Sequence, residues 1–216
     1  VTAVAFVPSA PLLVPAVAAG SADLDADLRR AALAAVSRAV HDRPREAVVV
    51  APTATAGEWD ENRTWGFEGF GVDRWPPDAR SRLPWPLGIG AWLLDECGWS
   101  GTRRYVGLAG DGARNAADDI AIIAVGDGSA RRSERAPGHL DGRAQGFDDH
   151  VADCLASGDS AGLASIDPVL AEALMCPSVA VWGWVASGVD RPVHAELLAH
   201  LAPYGVGYFV ALWSDG

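Results

Sequence analysis

Short apolar runs that each stop at a proline or glycine constrain this chain most. Val1–Val7 stops at Pro8, Glu46–Val50 lies between Pro44 and Pro52, and Asp119–Val125 stops at Gly126. Runs this short, rich in β-branched residues and bounded by turn residues, read as buried strands. Between the first two lies a stretch from Ser21 or Asp23 to about Val40. Its apolar residues Leu24, Leu28, Ala31, Ala35 and Val36 keep helical spacing behind a polar cap. Strand, helix, strand predicts a parallel pair joined by a right-handed crossover. Arg104–Leu108 adds a strand, and Glu196–Tyr204 with Gly207–Trp213 reads as a closing strand pair. Helices are expected over Ile89–Cys97, Arg143–Ala156, Ala161–Met175 and Ser178–Ser187. The expected fold is a single α/β domain over 1–216, a mostly parallel central sheet flanked by helices with a C-terminal strand pair.

In such sheets ligands bind outside the carboxyl ends of the strands. Three loops leave those ends: Pro8–Pro15, Pro52–Gly57 and Gly126–Gly142. The segment 58–86 is different. It holds Trp59, Trp65, Trp75 and Trp85 among prolines and charges and is expected to be an irregular excursion rather than a domain. Long loops of this kind are often lids or binding loops. The plainer expectation is that the tryptophans pack the segment onto the body or serve a homo-oligomer contact.

Composition narrows the function classes. The net charge is −11 and all 17 basic residues are arginine. An acidic surface argues against nonspecific nucleic-acid binding, Arg131, Arg132 and Arg135 being the local exception. No apolar run reaches the length of a membrane helix. Cys97, Cys154 and Cys176 are widely spaced, form no CxxC pair and follow no leader, so reduced thiols in a cytoplasm are expected.

Chemical motifs are sparse. Gly88-Ile89-Gly90 lacks the third glycine of a dinucleotide fingerprint, and a P-loop is impossible without lysine. Gly126-Asp127-Gly128-Ser129-Ala130 follows a strong strand but lacks the last glycine of a nucleophile elbow. A Ser129 nucleophile would also need His139 or His150 as base, and nothing fixes either there. No histidine pair has the HExxH spacing. His139, Asp141, Asp148, Asp149 and His150 carry ligand-type side chains, yet read more simply as a solvated loop and a helix's first turn, where carboxylates suit the macrodipole. His41 and His200 are expected where element ends meet solvent.

Several segments, in order along nearly the whole chain, carry a resemblance. They are Phe6-Val7-Pro8-Ser9-Ala10-Pro11-Leu12-Leu13-Val14-Pro15, Val48–Thr53, Gly126–Ala130, Phe147-Asp148 with the helix Asp167–Met175, and the ending Ala202–Ala211. Together they resemble the catalytic component of the class III extradiol ring-cleavage dioxygenases. The ending, and Gly126–Arg132 with Ala136-Pro137-Gly138, is similar to an actinobacterial branch of that family. The resemblance implies ferrous iron held by two histidines and a glutamate, with a further histidine as acid and base. At the matching positions stand Ser9 and Thr53 for the iron histidines and Ala130 for the acid/base histidine. The glutamate falls near Met175, with Glu172 a turn earlier. Neutral hydroxyls are poor ligands for ferrous iron, which takes a facial triad of two histidines and a carboxylate, so no cofactor is expected and the iron site reads as lost.

What remains is a polar pocket whose lining or rim would be Ser9, Thr53, Asp127, Ser129, Arg131, Arg132 and His139. Guanidinium groups beside hydroxyls suit a carboxylate or phosphate, unless they form loop-tethering ion pairs with Asp127 and Glu134. Three functions are compatible with this pattern. The first is a non-catalytic or iron-independent protein that binds a small anionic or aromatic ligand, or a partner. The second is an enzyme with a rearranged metal site using Asp127, His139, Asp148 or His150. The third is a structural subunit that pairs with itself or a catalytic chain through 58–86.

Overall fold

The apolar runs lie side by side in one sheet. The computed structural model describes residues 3–18, 23–41, 44–72, 82–110, 119–189 and 193–215. Its strands are β1 (Ala3–Val7), β2 (Glu46–Pro52), β3 (Gly57–Asp60), β4 (Thr102–Leu108), β5 (Ile120–Val125), β6 (Val193–Leu201) and β7 (Tyr208–Asp215). Their order is β3-β4-β2-β5-β1-β7-β6. The central β4, β2, β5 and β1 are mutually parallel, β3 is antiparallel to β4, and β7 and β6 close the other side antiparallel. The mostly parallel sheet and the C-terminal pair therefore stand as the sequence pattern requires.

Connections cover both faces. After β1 the chain makes a 3-10 turn at Pro11–Leu13 and a short helix α1 (Pro15–Ala18), where only a loop was expected. Ser21, one of the two expected caps, lies outside the described residues. Helices α2 (Asp23–Ala39) and α3 (Trp85–Glu96) pack on the face carrying Ala5, Val49, Ile123 and Val210. Helices α4 (Ala144–Ser157), α5 (Ser160–Ala164), α6 (Pro168–Ala173) and α7 (Val179–Ala186) pack on the face carrying Phe6, Val48, Ile122 and Trp213. Burial on both faces makes β1, β2 and β5 nearly unbroken apolar runs instead of alternating ones, whereas β4 opens on the partly exposed Thr102-Arg103-Arg104. Trp213 is fully buried, meets Phe6 edge-to-face at 4.9 Å, and donates its indole N–H to the Leu155 carbonyl at 2.8 Å.

Three boundaries differ from expectation for local reasons. Helix α3 starts four residues before Ile89, because Pro86 sits in its first turn, where a missing N–H costs nothing. The expected helix Ala161–Met175 is two helices. Asp159 caps α5 through Gly162 N at 2.8 Å, and Asp167 caps α6 through Val169 N at 2.9 Å with Pro168 behind it. The closing pair begins at Val193 and the first of its strands ends at Leu201. Gly90, half of the discounted glycine pair, lets α3 lie against β2, since a Cβ there would stand 2.4 Å from Val49.

The segment 58–86 is not wholly irregular. It opens as the edge strand β3, which its Gly-Glu-Trp-Asp sequence does not announce. Trp65 and Phe67 are buried in the cluster that contains Leu83, Leu87 and Trp92, with ring centroids 5.5 Å apart. Trp65 also donates to Asp95 at 2.9 Å. Each such side chain gains about 1.5–3 kcal/mol by leaving water, which anchors the segment to the α3 side of the sheet. Phe70 and Trp85 stay 43% and 41% exposed and meet edge-to-face at 5.6 Å. Trp75, Pro76 and Pro77 lie outside the described residues. Among the described residues no helix is long and apolar enough to cross a membrane.

Candidate functional site at the carboxyl edge

The carboxyl ends of β1, β2 and β5 bring Ser9, Thr53 and Asp127–Ser129 to one edge of the sheet. Gly126 N donates to the Val7 carbonyl at 2.9 Å, one residue past the end of β5, and this sets Asp127 opposite Ser9. Ser9 is buried and makes two contacts with that carboxylate. Its backbone N–H donates to Oδ1 at 2.8 Å and its hydroxyl to Oδ2 at 2.5 Å. Asp127 itself is only half-buried. Loss of solvent pushes its carboxyl up to about 6, against the two Ser9 donors, which pull it down.

The connection between α6 and α7 closes the edge from below. Cys176 donates its thiol to the Asp127 carbonyl at 3.4 Å. Burial pushes that thiol far above its ordinary range, with Asp148 and Asp127 adding to the rise, so it is no thiolate nucleophile. Ser178 is fully buried beside Gly126, where a Cβ would come within 2.5 Å of its hydroxyl. Sequence reasoning singled out neither residue as part of this edge, and their spacing from Asp127 gives no sign of it.

The remaining predicted residues stand at the same edge with hydrogen-bond partners of their own. Thr53 donates its hydroxyl to the Thr55 carbonyl at 2.9 Å and lies over Gly107 of β4. Ser129 is fully buried and turned toward the α4–α7 layer. Its N–H donates to Asp148 Oδ1 at 2.8 Å, and its hydroxyl donates to the Leu174 carbonyl at 3.2 Å and accepts from Arg131 N at 3.1 Å. Arg132 donates to Asp148 Oδ2 at 2.7 Å and also to Gln145. Arg131 donates to the carbonyls of Gly138 at 2.7 Å and Ala173 at 2.9 Å and stands 4.0 Å from Asp141. The two arginines thus tether the loop, but through Asp148 and Asp141 rather than the expected Asp127 and Glu134.

Asp148 is the centre of this second arrangement. It is 0% exposed, and burial pushes its carboxyl up while the Ser129 N–H, Arg132 and His200 pull it down. Gly128 and Gly207 make room for it, since a Cβ would stand 2.6 Å and 2.2 Å from its oxygens. Gly128 N to Gly207 O at 2.7 Å and Gly207 N to Ser129 O at 2.8 Å lash the loop to the start of β7. His200 corrects an expectation: it does not simply meet solvent. Its ring stacks on Phe209 at 4.9 Å and its Nε2 is buried without a hydrogen-bond partner among the described residues.

The side chains offered for a rearranged metal centre have separate neighbours. His139 is exposed, with a left-handed φ of 57° and its Nδ1 3.3 Å from the Glu134 carbonyl. His150 is exposed on α4, 3.8 Å from Cys154. Asp127 is held by Ser9 and Asp148 by Arg132. Among the described residues no three His, Cys, Asp or Glu side chains group as a metal ion needs. At the opposite end of β4 an open hollow of about 420 Å³ is lined by Trp65, Asp95, Arg103 and Tyr105. Arg103 bonds there to Asp95 at 2.6 Å and to the Trp99 carbonyl at 2.5 Å.

No protein-family model matches the chain, and no curated protein does. The chemistry of the edge is therefore that of its own residues: a half-buried acid, two hydroxyls and an inert thiol.

Proposed function

We propose that this chain is a relative of the class III extradiol dioxygenases that has given up ferrous iron and binds a small ligand, or a partner, at the Ser9–Asp127 edge. One observation carries the reading. Ser9, at the position the resemblance gives to the first iron histidine, is buried with its hydroxyl and N–H both donated to Asp127. The donor set supports it as well. Thr53 gives its hydroxyl to a backbone carbonyl, and Glu172 and Met175 are exposed. Such a set does not fit ferrous iron, which takes imidazole nitrogens and a carboxylate with open positions. An anionic ligand is the less suited of the two, because Arg131 and Arg132 are already engaged inside the protein. Three unpaired cysteines suit a reducing compartment such as a cytoplasm.

The test is elemental analysis of the protein incubated with ferrous iron, with oxygen uptake measured on catechol. The expected result is sub-stoichiometric iron and no uptake. Near-equimolar iron with uptake would overturn the reading.

Phe70 and Trp85 favour a second role, self-association through 58–86, since paired aromatic rings left in water are common interface anchors. Replacing both with serine should cost about 1–3 kcal/mol, for the part of each ring that the fold already covers, and lower the solution mass. An unchanged mass would remove this role.

A further inference from the structure

Five carboxylic residues among the described ones are, as whole residues, buried or half-buried: Glu46, Glu68, Asp127, Asp141 and Asp148. Four have an arginine. Arg104 stands 3.3 Å from Glu46, Arg82 pairs with Glu68, Arg143 stands 2.7 Å from Asp141, and Arg132 stands 2.7 Å from Asp148. Among the described residues, Asp127 has the hydroxyl and amide of Ser9 as its hydrogen-bond donors and no arginine beside it. The arginines nearest to it in sequence, Arg131 and Arg132, are taken up by Gly138, Ala173, Asp148 and Gln145. An ionised carboxylate partly removed from water without a counter-charge is unfavourable. A carboxylate offers about four acceptor positions, and Ser9 fills one on each oxygen, so both oxygens keep a position for a further donor.

We propose that Asp127 is the counter-charge for a small organic cation, and that a protonated primary amine docks at this edge by donating to the acceptor positions Ser9 leaves open. An ammonium group brings three donors and the missing positive charge. The inference rests on the reading of this edge as a ligand-binding one and names the ligand's class. Among the described residues the titratable side chains near this edge are Cys176, whose thiol donates to the Asp127 carbonyl, and Asp148, which like Asp127 raises that thiol. Neither supplies a positive charge.

The experiment titrates the protein with benzylamine, benzyl alcohol and benzoate, three probes that share a ring and differ in charge, and follows amide chemical shifts. Benzylamine should bind tightest at about pH 7.5 and weaken about tenfold at about pH 5, as the ionised fraction of Asp127 falls. In Asp127→Asn its advantage over benzyl alcohol should vanish. The probe series and the pH arm need no variant, so a misfolded Asp127→Asn does not spare the proposal. Benzoate or benzyl alcohol binding as tightly as benzylamine, no pH dependence, or no binding of any probe would overturn it. Iron content and catechol-dependent oxygen uptake on the same preparation separate the two failures. Iron with uptake removes the functional reading itself, whereas iron-free protein that prefers benzoate removes only the cation.

Discussion

Asp127 and Asp148 are two desolvated carboxylates at the same end of the sheet, and the protein treats them differently. Asp148 is closed in. It has an arginine, a backbone N–H, and two glycines whose missing Cβ atoms make its space. Asp127 has one serine and stays partly open to solvent. Burial raises both acids. What separates them among the described residues is the counter-charge: Arg132 supplies one to Asp148, and Asp127 has the two Ser9 donors instead. A buried acid with its own arginine is architecture, and the proposed amine would supply the half-buried acid with the charge its neighbours do not.

The largest way to break this comparison is Asp148→Ala. It would strand Arg132 and the Ser129 N–H, and should cost about 3–5 kcal/mol of stability, read from urea unfolding. A loss below about 1 kcal/mol would mean that the pair holds nothing together. Gly207→Ala comes next, at about 1–3 kcal/mol, because the new Cβ would meet a carboxylate that Arg132 and Ser129 prevent from retreating. A neutral outcome would show that Asp148 can shift.

Ser9→Ala should cost only about 1 kcal/mol, the net worth of a hydrogen bond. It should also raise the Asp127 carboxyl further, since the lost hydroxyl is one of the groups holding it down. A fall in that titration midpoint would contradict the assignment. The smallest effect is the dependence of stability on pH. Asp127 titrates near 6 when folded and near 3.8 when unfolded. Between those values the folded state holds more protons, so this group's contribution falls as pH rises from about 4 to about 6 and is level above. Asp127→Asn should remove that fall, and urea midpoints taken across this range compare the two.

The parallel strands were legible in the sequence because double-sided burial writes an unbroken apolar run, as in Val48–Val50 and Ile120–Val125. Strand β3 was not, because an edge strand with polar residues carries no such run. The break at Pro168 was visible as an Asp-Pro start signal, yet the apolar spacing on either side masked it. Of the site, the edge was legible and the pairing was not. Ser9 and Asp127 are 118 residues apart, and past a strand end no period fixes which way a side chain points. Ser129, two residues beyond Asp127, accordingly serves the α4–α7 layer instead. His200 escaped for a related reason: the irregularity between Leu197 and Ala199 shifts the register along β6.

If Asp127 is an acid that a positive partner completes, its own titration must show it. A carboxyl-carbon NMR titration of that one residue, with and without benzylamine, tests it most directly. The midpoint should lie near 6 in the free protein and fall when the amine is bound, because an adjacent cation favours the ionised form. A midpoint in the ordinary aspartate range that benzylamine leaves unmoved would contradict it.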